Sequence, residues 1–348
     1  MGEPICLFGE GPFERRERLK QLVASRGPVI SQEEYSSSEE ENNADEEFYT
    51  VGPKELYDAR KFLVDYSLSR ARDRLSHARE KTKMSTTQLK TERYKLYSKL
   101  EVIHIVSIYE TTESFASQVG GDRAISCCKF APRNSSILAT SSWDGTCSIW
   151  TNPECKLKIT LRGHKDRVGT LDFHPLSFDS LSENAANLVS GSSDGIVNLW
   201  SLNRNEPLAE LKGHTLRVAT TCFHPSGRYI GSSSFDTSWR FWDVETQQEL
   251  LLQEGHSKEV FALGFHPDGS LCGTGGFDSV GRIWDIRVGK SISTLKGHVK
   301  DILCINFSPN GYHVITGSDD NTIKVWDLRQ HKNIYTIPAH TSLISCVK

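Results

Sequence analysis

The chain has 348 residues, 37% of them hydrophobic and 24% charged, and carries a formal net charge of −3. It contains no apolar run of the roughly 18 residues that a membrane helix needs, and its first residues lack a basic start followed by an apolar stretch, so neither a membrane span nor a secretory signal is expected. The nine cysteines form no C-x-x-C pair, which argues against a zinc site or a dithiol motif and for small buried thiols in a reducing compartment, cytosol or nucleus.

Residues 1–26 open with GEPICLFGEGP, a Gly/Pro turn, and run into FERRERLKQLVA. Phe13, Leu19, Leu22 and Val23 share one side and the arginines the other, the pattern of a short amphipathic helix. Such a helix buries too little to be stable alone. It is expected to dock on a partner, with Leu7, Phe8, Arg15, Arg16 and Leu19 as candidate contacts. Residues 27–52 are Ser-rich, hold eight acidic residues and no Lys or Arg, and read as a disordered linker. From Lys54 to Lys99 the balance reverses to 13 basic residues against 6 acidic ones. Such a reversal reads either as a partner-contacting region or as an ordinary solvated helix face.

Residues 53–114 form the basic helical segment and connector. Pro53 suits a first helical turn. Leu56, Ala59, Phe62, Leu63 and Tyr66 keep one face; Ser67-Leu68-Ser69 reads as a break with a new cap; Ala71, Leu75 and Ala78 continue a second helix to about Lys83. The two short helices would make a docking hairpin, with Phe62, Tyr66, Arg70 and Arg74 as further partner contacts. Residues 1–83 are accordingly expected to be dispensable for folding of the rest. Residues 86–100 are again helical. At 101–114 the β-branched residues Val102, Ile103, Ile105, Val106 and Ile108 leave open a longer helix, an extra strand or an inserted segment.

From about residue 115 to residue 348 a repeat takes over. Trp150, Trp200, Trp242, Trp284 and Trp326 are spaced by 50, 42, 42 and 42 residues. Each closes a related phrase: SSWDGTCSIW, GSSDGIVNLW, SSFDTSWRFW, GGFDSVGRIW, GSDDNTIKVW. Gly-His pairs precede the last four at 163–164, 213–214, 255–256 and 297–298, and Ala339-His340 is an altered further copy. A period of about 40–45 residues with Gly-His and Trp-Asp marks is that of a mainly β fold, the WD40 β-propeller. In the second unit the strands phase as 168–173, 188–192, 196–200 and 207–211, and its eight extra residues fall in a surface loop between the first two. The final TSLISCVK matches the opening of another first strand, so the reading is five units and the start of a sixth, truncated from about seven blades.

Aligned on Trp, the units share a constellation. Asp144, Asp194, Asp236, Asp278 and Asp320 lie six residues before each Trp, and Thr140, Ser190, Ser232, Thr274 and Thr316 four residues before each Asp. His164, His214, His256 and His298 precede their Trp by 36, 28, 28 and 28 residues. Such groups could serve catalysis or a metal, but an active site is built once and this set recurs at fixed phase. It reads as structural, with no catalytic residue, metal or cofactor. Phe173-His174-Pro175, Phe223-His224-Pro225 and Phe265-His266-Pro267 also recur; Ser308 and Ala131 stand in the His slot elsewhere, so these read as strand ends with a Pro turn.

GEPICLFGEGPFERRERL resembles the small splicing-factor motif found ahead of WD repeats in the Prp4-type family of the U4/U6 small nuclear ribonucleoprotein. GPKELYDARKFLVDYSLSRARDRLSHAR, QVGGDRAIS, HPSGRYIGSSSFDTSWRFWD and INFSPNGYHVITGSDDNTIKVWDLRQ are similar to that family too, whereas 101–114 departs from it. The resemblance implies that each constellation is a buried hydrogen-bond chain, Trp to Ser/Thr to His to Asp. It also implies a non-enzymatic nuclear subunit of the U4/U6 and U4/U6·U5 particles. That subunit binds a Prp3-type splicing factor, a cyclophilin, and U4 and U6 RNA directly or indirectly, with no membrane and no small-molecule substrate. Lys165, Arg167, Arg217, Lys258 and Lys300, in loops after Gly-His, could contact RNA phosphates. A different class is suggested by the WDxR boxes at 284–287 and 326–329, which resemble those of cullin-4 ubiquitin-ligase substrate receptors.

Overall fold

The computed structural model describes residues 52–109, 117–132, 134–338 and 340–348. Five four-stranded antiparallel sheets follow one another along the chain, each ordered as in sequence. Blade one is β1 (Ile125–Ala131), β2 (Asn134–Ser142), β3 (Thr146–Thr151) and β4 (Lys156–Arg162). Blade two is β5 (Val168–Phe173), β6 (Leu188–Ser192), β7 (Ile196–Trp200) and β8 (Ala209–Lys212). Blade three is β9 (Val218–Phe223), β10 (Tyr229–Ser234), β11 (Trp239–Asp243) and β12 (Glu249–Gln253). Blade four is β13 (Val260–Phe265), β14 (Leu271–Gly276), β15 (Val280–Asp285) and β16 (Lys290–Lys296). Blade five is β17 (Ile302–Phe307), β18 (His313–Ser318), β19 (Thr322–Asp327) and β20 (Lys332–Pro338).

Each β-hairpin between second and third strands turns on the repeated Asp. The carboxylate accepts the backbone N–H two residues on: Thr146, Ile196, Ser238, Val280 and Thr322, at 2.8–3.1 Å. The residue between is left-handed in every blade: Gly145, Gly195, Thr237, Ser279 and Asn321, φ 60–88°. The Asp cap holds even a Thr in that conformation.

Successive blades pack through their first strands, β1 on β5, β5 on β9, β9 on β13 and β13 on β17. Trp200, Trp242, Trp284 and Trp326 are all at most 3% exposed and anchor the clusters between blades. Lys129 of β1 pairs with Asp172 of β5 at 2.9 Å, and the same carboxylate accepts Phe223 N–H of β9 at 2.9 Å. Burial disfavours the Lys129 charge, but Asp172 outweighs it and raises the ammonium pKa above its usual value. The extra residues of blade two do more than cover the surface. Asn187, fully buried, accepts from Ser177 Oγ at 2.9 Å and donates to the carbonyls of Ser182 and Ala185, so the insertion folds on itself. The segment after β20 lies against β17: Ile344 is buried and Asn306 donates to Val347 O at 3.2 Å.

Ahead of the blades stand α1 (Lys54–Lys83) and α2 (Thr86–Tyr109). The expected break at 67–69 is absent, and α1 is one helix of 30 residues. Ser67 and Ser69 donate backward to the carbonyls of Val64 and Tyr66, three residues earlier, instead of capping a new helix. The real stop is Met84, in extended conformation. A capping box then starts α2: Ser85 Oγ accepts Gln88 N–H at 3.3 Å and Gln88 Oε1 accepts Ser85 N–H at 3.1 Å. The backbone continues helical to Tyr109, which resolves the connector through that point as a longer helix.

The expectation that residues 1–83 are dispensable for folding meets opposing packing in α1, while residues 1–51 lie outside the described residues. Leu56, Ala59 and Leu63, at most 4% exposed, share a core cluster with Tyr229, Trp239, Phe241 and Trp284 of blades three and four. Burying one such leucine contributes about 2–3 kcal/mol. The stripe that looked like half of a docking hairpin is used by the chain itself.

Candidate functional site

In blades three, four and five the recurring constellation is a continuous chain of short contacts. Trp242 Nε1–H donates to Ser232 Oγ at 2.8 Å, Ser232 lies 2.7 Å from His214 Nε2, and His214 Nδ1 lies 2.8 Å from Asp236. Trp284, Thr274, His256 and Asp278 repeat this at 2.8, 2.8 and 2.9 Å, and Trp326, Thr316, His298 and Asp320 at 2.9, 2.7 and 2.8 Å. Every donor faces an acceptor if the imidazole is neutral with its proton on Nδ1, so the chain polarises in one direction. Burial opposes ionisation of Asp236, but the hydrogen bonds from His214 and Ser238 outweigh it and hold the carboxyl well below the usual carboxylate range. Asp320 is held low in the same way by Thr322 and His298.

The first two blades depart from this. In blade two Trp200 and His164 both meet Ser190 at 2.7 Å, but His164 Nδ1 faces Asn198 Nδ2 at 3.4 Å, and one buried oxygen of Asp194 has no partner among the described residues. Burial pushes the His164 pKa down to about 4. In blade one Trp150 donates to Thr140 at 2.9 Å, while Gly120-Gly121-Asp122 fills the place of Gly-His and Asp144 accepts Asp122 N–H at 3.2 Å.

The Phe-His-Pro histidines do more than end a strand. His224 Nδ1 accepts Ser226 N–H at 3.2 Å, and its Nε2 reaches Gly269 O in the next blade's turn at 2.8 Å. His266 accepts Asp268 N–H and reaches Gly311 O, both at 3.1 Å. These are latches between blades. The signal was present in sequence: a Gly follows His224-Pro225, His266-Pro267 and Ser308-Pro309, though not His174-Pro175, at a fixed distance, and Gly227, Gly269 and Gly311 all have φ between 71° and 82°.

Of the sequence candidates for partner binding, Leu7, Phe8, Arg15, Arg16 and Leu19 lie outside the described residues. The structure brings the other four onto the propeller. Phe62 meets Tyr229 edge-on with centroids 6.0 Å apart, and Tyr66 meets His224 at 5.8 Å. Arg70 donates to Pro267 O at 3.2 Å, and Arg74 to both carboxylate oxygens of Asp268. A groove of about 900 Å³ opens beside these last contacts, between α1 and the turns of blades four and five.

The rim candidates divide. Arg167 lies over the Trp143 ring at 5.2 Å and Arg217 over Phe235 at 5.3 Å, whereas Lys300 is paired with Asp319 at 3.1 Å. Lys165 and Lys258 are exposed. Acidic Glu259 and Asp301 precede the first strands of blades four and five, and Asp319 lies in the turn between β18 and β19, so the rim is not uniformly basic. Both WDxR arginines are engaged at home: Arg287 with Asp285 at 2.8 Å, Arg329 with Asp327 at 3.2 Å. Among the described residues no group of three or more His, Cys, Asp or Glu is placed to hold a metal ion.

Comparison with known proteins matches this layout. A family model described as WD domain, G-beta repeat matches residues 113–151, 155–201, 205–243, 247–285 and 289–327, and one described as pre-mRNA processing factor 4 (PRP4) like matches residues 1–22. The U4/U6 small nuclear ribonucleoprotein Prp4 of Homo sapiens is 48% identical over 185 residues, 52% of this chain and 34% of that protein. That of Mus musculus is 48% identical over 191 residues, 54% of this chain and 35% of that protein. The PRP4 protein of Saccharomyces cerevisiae is 34% identical over 243 residues, 68% of this chain and 50% of that protein. The matched stretch thus spans about a third to a half of these relatives' length. The chain belongs to the WD domain, G-beta repeat family, and within it carries the Prp4-type combination of a PRP4-like N-terminal segment and G-beta repeats.

Proposed function

We propose that the chain is a non-enzymatic scaffold subunit of the U4/U6 and U4/U6·U5 particles, acting in pre-mRNA splicing in the nucleus. The observation that carries the reading is the PRP4-like match at residues 1–22 joined to five G-beta repeats in one chain. Neither part alone is as specific. The geometry supports a binding role: the His, Asp and hydroxyl groups that resemble catalytic sets hold turns and blades together, which leaves the loops and α1 as presenting surfaces. On this reading a Prp3-type protein and a cyclophilin engage the N-terminal region, and U4 and U6 RNA are held directly or through those proteins.

The test is affinity purification of the tagged chain from nuclear extract, with protein and RNA both identified. Recovery of U4 and U6 RNA with a Prp3-type protein is the expected result. Recovery of cullin-4 and its adaptor without those RNAs would replace the splicing reading by the ubiquitin-ligase one.

A further inference from the structure

The face of α1 that looks away from the propeller is as regular as the face that docks. Lys54, Lys61, Arg72, Arg79 and Lys83 stand 7, 18, 25 and 29 residues along one helix from the first of them. At about 100° per residue they fall within roughly 40° of one another, on the side opposite Leu56, Leu63, Arg70 and Arg74, over a length of about 44 Å. All five are exposed. Among the described residues the ion pairs of α1 are Arg74–Asp268 and His77–Glu80, so none of the five cations is paired. Asp58 and Asp65 fall within about 20° of the same stripe and interrupt its N-terminal half, whereas Glu55, Asp73 and Glu80 lie on one flank, so the uninterrupted cationic stretch is Arg72, Arg79 and Lys83.

Three properties narrow the occupant. The stripe itself holds no buried apolar anchor; Leu68 and Leu75 stand beside it, 56% and 37% exposed, with Tyr57 near its N-terminal end, and a protein interface takes its energy from buried anchors. No aromatic residue borders Arg72, Arg79 and Lys83, and binders of single strands rely on rings for stacking. The helix cannot adapt its shape, because Leu63, Ser67 and the Arg74–Asp268 pair fix it to the blades. A rigid row of unpaired cations suits a rigid polyanion whose recognition rests on backbone charge and shape, as for double-stranded RNA. We propose that this outer stripe of α1 binds the sugar–phosphate backbone of an RNA duplex. The inference deepens the scaffold reading and rests on it, placing direct RNA contact on α1 rather than on the loop rim. Glu55, Asp73 and Glu80 border one flank, and Asp58 and Asp65 confine the contact to Arg72, Arg79 and Lys83 in the C-terminal half of the helix.

The experiment measures binding of the full chain to a short RNA hairpin of arbitrary sequence by fluorescence anisotropy, from about 50 to about 200 mM salt. The variant carries Arg72→Gln, Arg79→Gln and Lys83→Gln, none of which touches the propeller, and its thermal unfolding is expected to match the parent. The slope of log affinity against log salt should shallow by about 0.9 per charge removed, about 2.7 in all. A Lys165→Gln/Lys258→Gln rim variant should keep the parent slope. Absence of hairpin binding by the parent, equal slopes for parent and stripe variant, loss of slope in the rim variant alone, or tighter binding of poly-glutamate than of the hairpin would each overturn the proposal. Particle recovery from extract is scored separately: if the parent fails to recover the particle, the scaffold reading fails whatever the hairpin does.

Discussion

Arg74 of α1 grips Asp268, 194 residues away, through three hydrogen bonds of 2.7, 3.0 and 3.1 Å. The same guanidinium donates to Asn310 O at 3.0 Å and lies over the Tyr312 ring at 5.1 Å, so one side chain joins the helix to blades four and five. The Asp268 side chain is 6% exposed and that of Arg74 19%. Removing either partner strands the other's charge in a largely dry site. Arg74→Ala and Asp268→Ala are each expected to lose about 2–4 kcal/mol in urea unfolding, with the double variant losing less than the sum. Losses below about 0.5 kcal/mol would return α1 to the status of a detachable arm.

The blades should differ in how much they depend on their Asp. Asp236 accepts the His214 Nδ1–H hydrogen bond at 2.8 Å and also caps the Ser238 N–H, whereas Asp194 caps Ile196 N–H and its second oxygen has no partner among the described residues. Asp236→Ala should destabilise by about 2–3 kcal/mol more than Asp194→Ala, because it orphans a buried imidazole N–H as well as a turn amide. Calorimetry of the two variants side by side decides it, and equal losses would mean that the His–Asp contact adds nothing to the turn cap.

Gly269 is fixed by two independent demands. Its φ is +82°, and a Cβ there would stand 2.6 Å from the His224 ring. Gly269→Ala must therefore strain the turn and push away the latch between blades three and four. A loss of about 2–4 kcal/mol is expected, more than the ~1 kcal/mol that a left-handed alanine alone costs. A variant combining Gly269→Ala with His224→Ala should separate the parts: relief of the loss would assign most of it to the ring contact, and no relief would assign it to backbone strain.

The tryptophan spacing made the blades legible, and in blade two the first three strands fall at 168–173, 188–192 and 196–200 in both the sequence reading and the structure. Repetition is what made this possible, since five copies expose a pattern that one could not. The α1 helix was legible as helix but not as one helix, because a serine offers the same hydroxyl to a new cap or to the carbonyl three residues back, and only packing chooses. Its docking was not legible at all. Nothing local to Arg74 names Asp268, and the pairing arises because the chain passes through three blades and into the fourth before returning to the same face. The self-contained fold of the blade-two insertion escaped for a related reason: an internal Asn187 network looks, in sequence, like any polar loop.

Acid sensitivity follows from the latches. Burial pushes the His224 pKa down to about 4 from its ordinary 6.5, and lowers His174 and His266 in the same direction, while Gly227, Gly269 and Gly311 carbonyls only partly oppose this. The folded state therefore keeps these rings neutral where the unfolded chain protonates them. Their contribution is complete above pH 6.5, falls as pH drops through that value, and for His224 is exhausted near pH 4. That ring alone accounts for up to roughly 3 kcal/mol across this window. The low carboxyl pKa values of Asp236 and Asp320 act further down: their contribution is present above the unfolded carboxylate value of 3.8 and is lost below it. Urea midpoints taken at pH 7.5, about 6 and about 5 should decline at each step, and the decline should be shallower in His224→Gln than in the parent. A flat profile between pH 7.5 and about 5 would mean that the rings take up protons equally in the folded and unfolded chains, contrary to Nδ1 acting as the acceptor for Ser226 and Asp268 N–H.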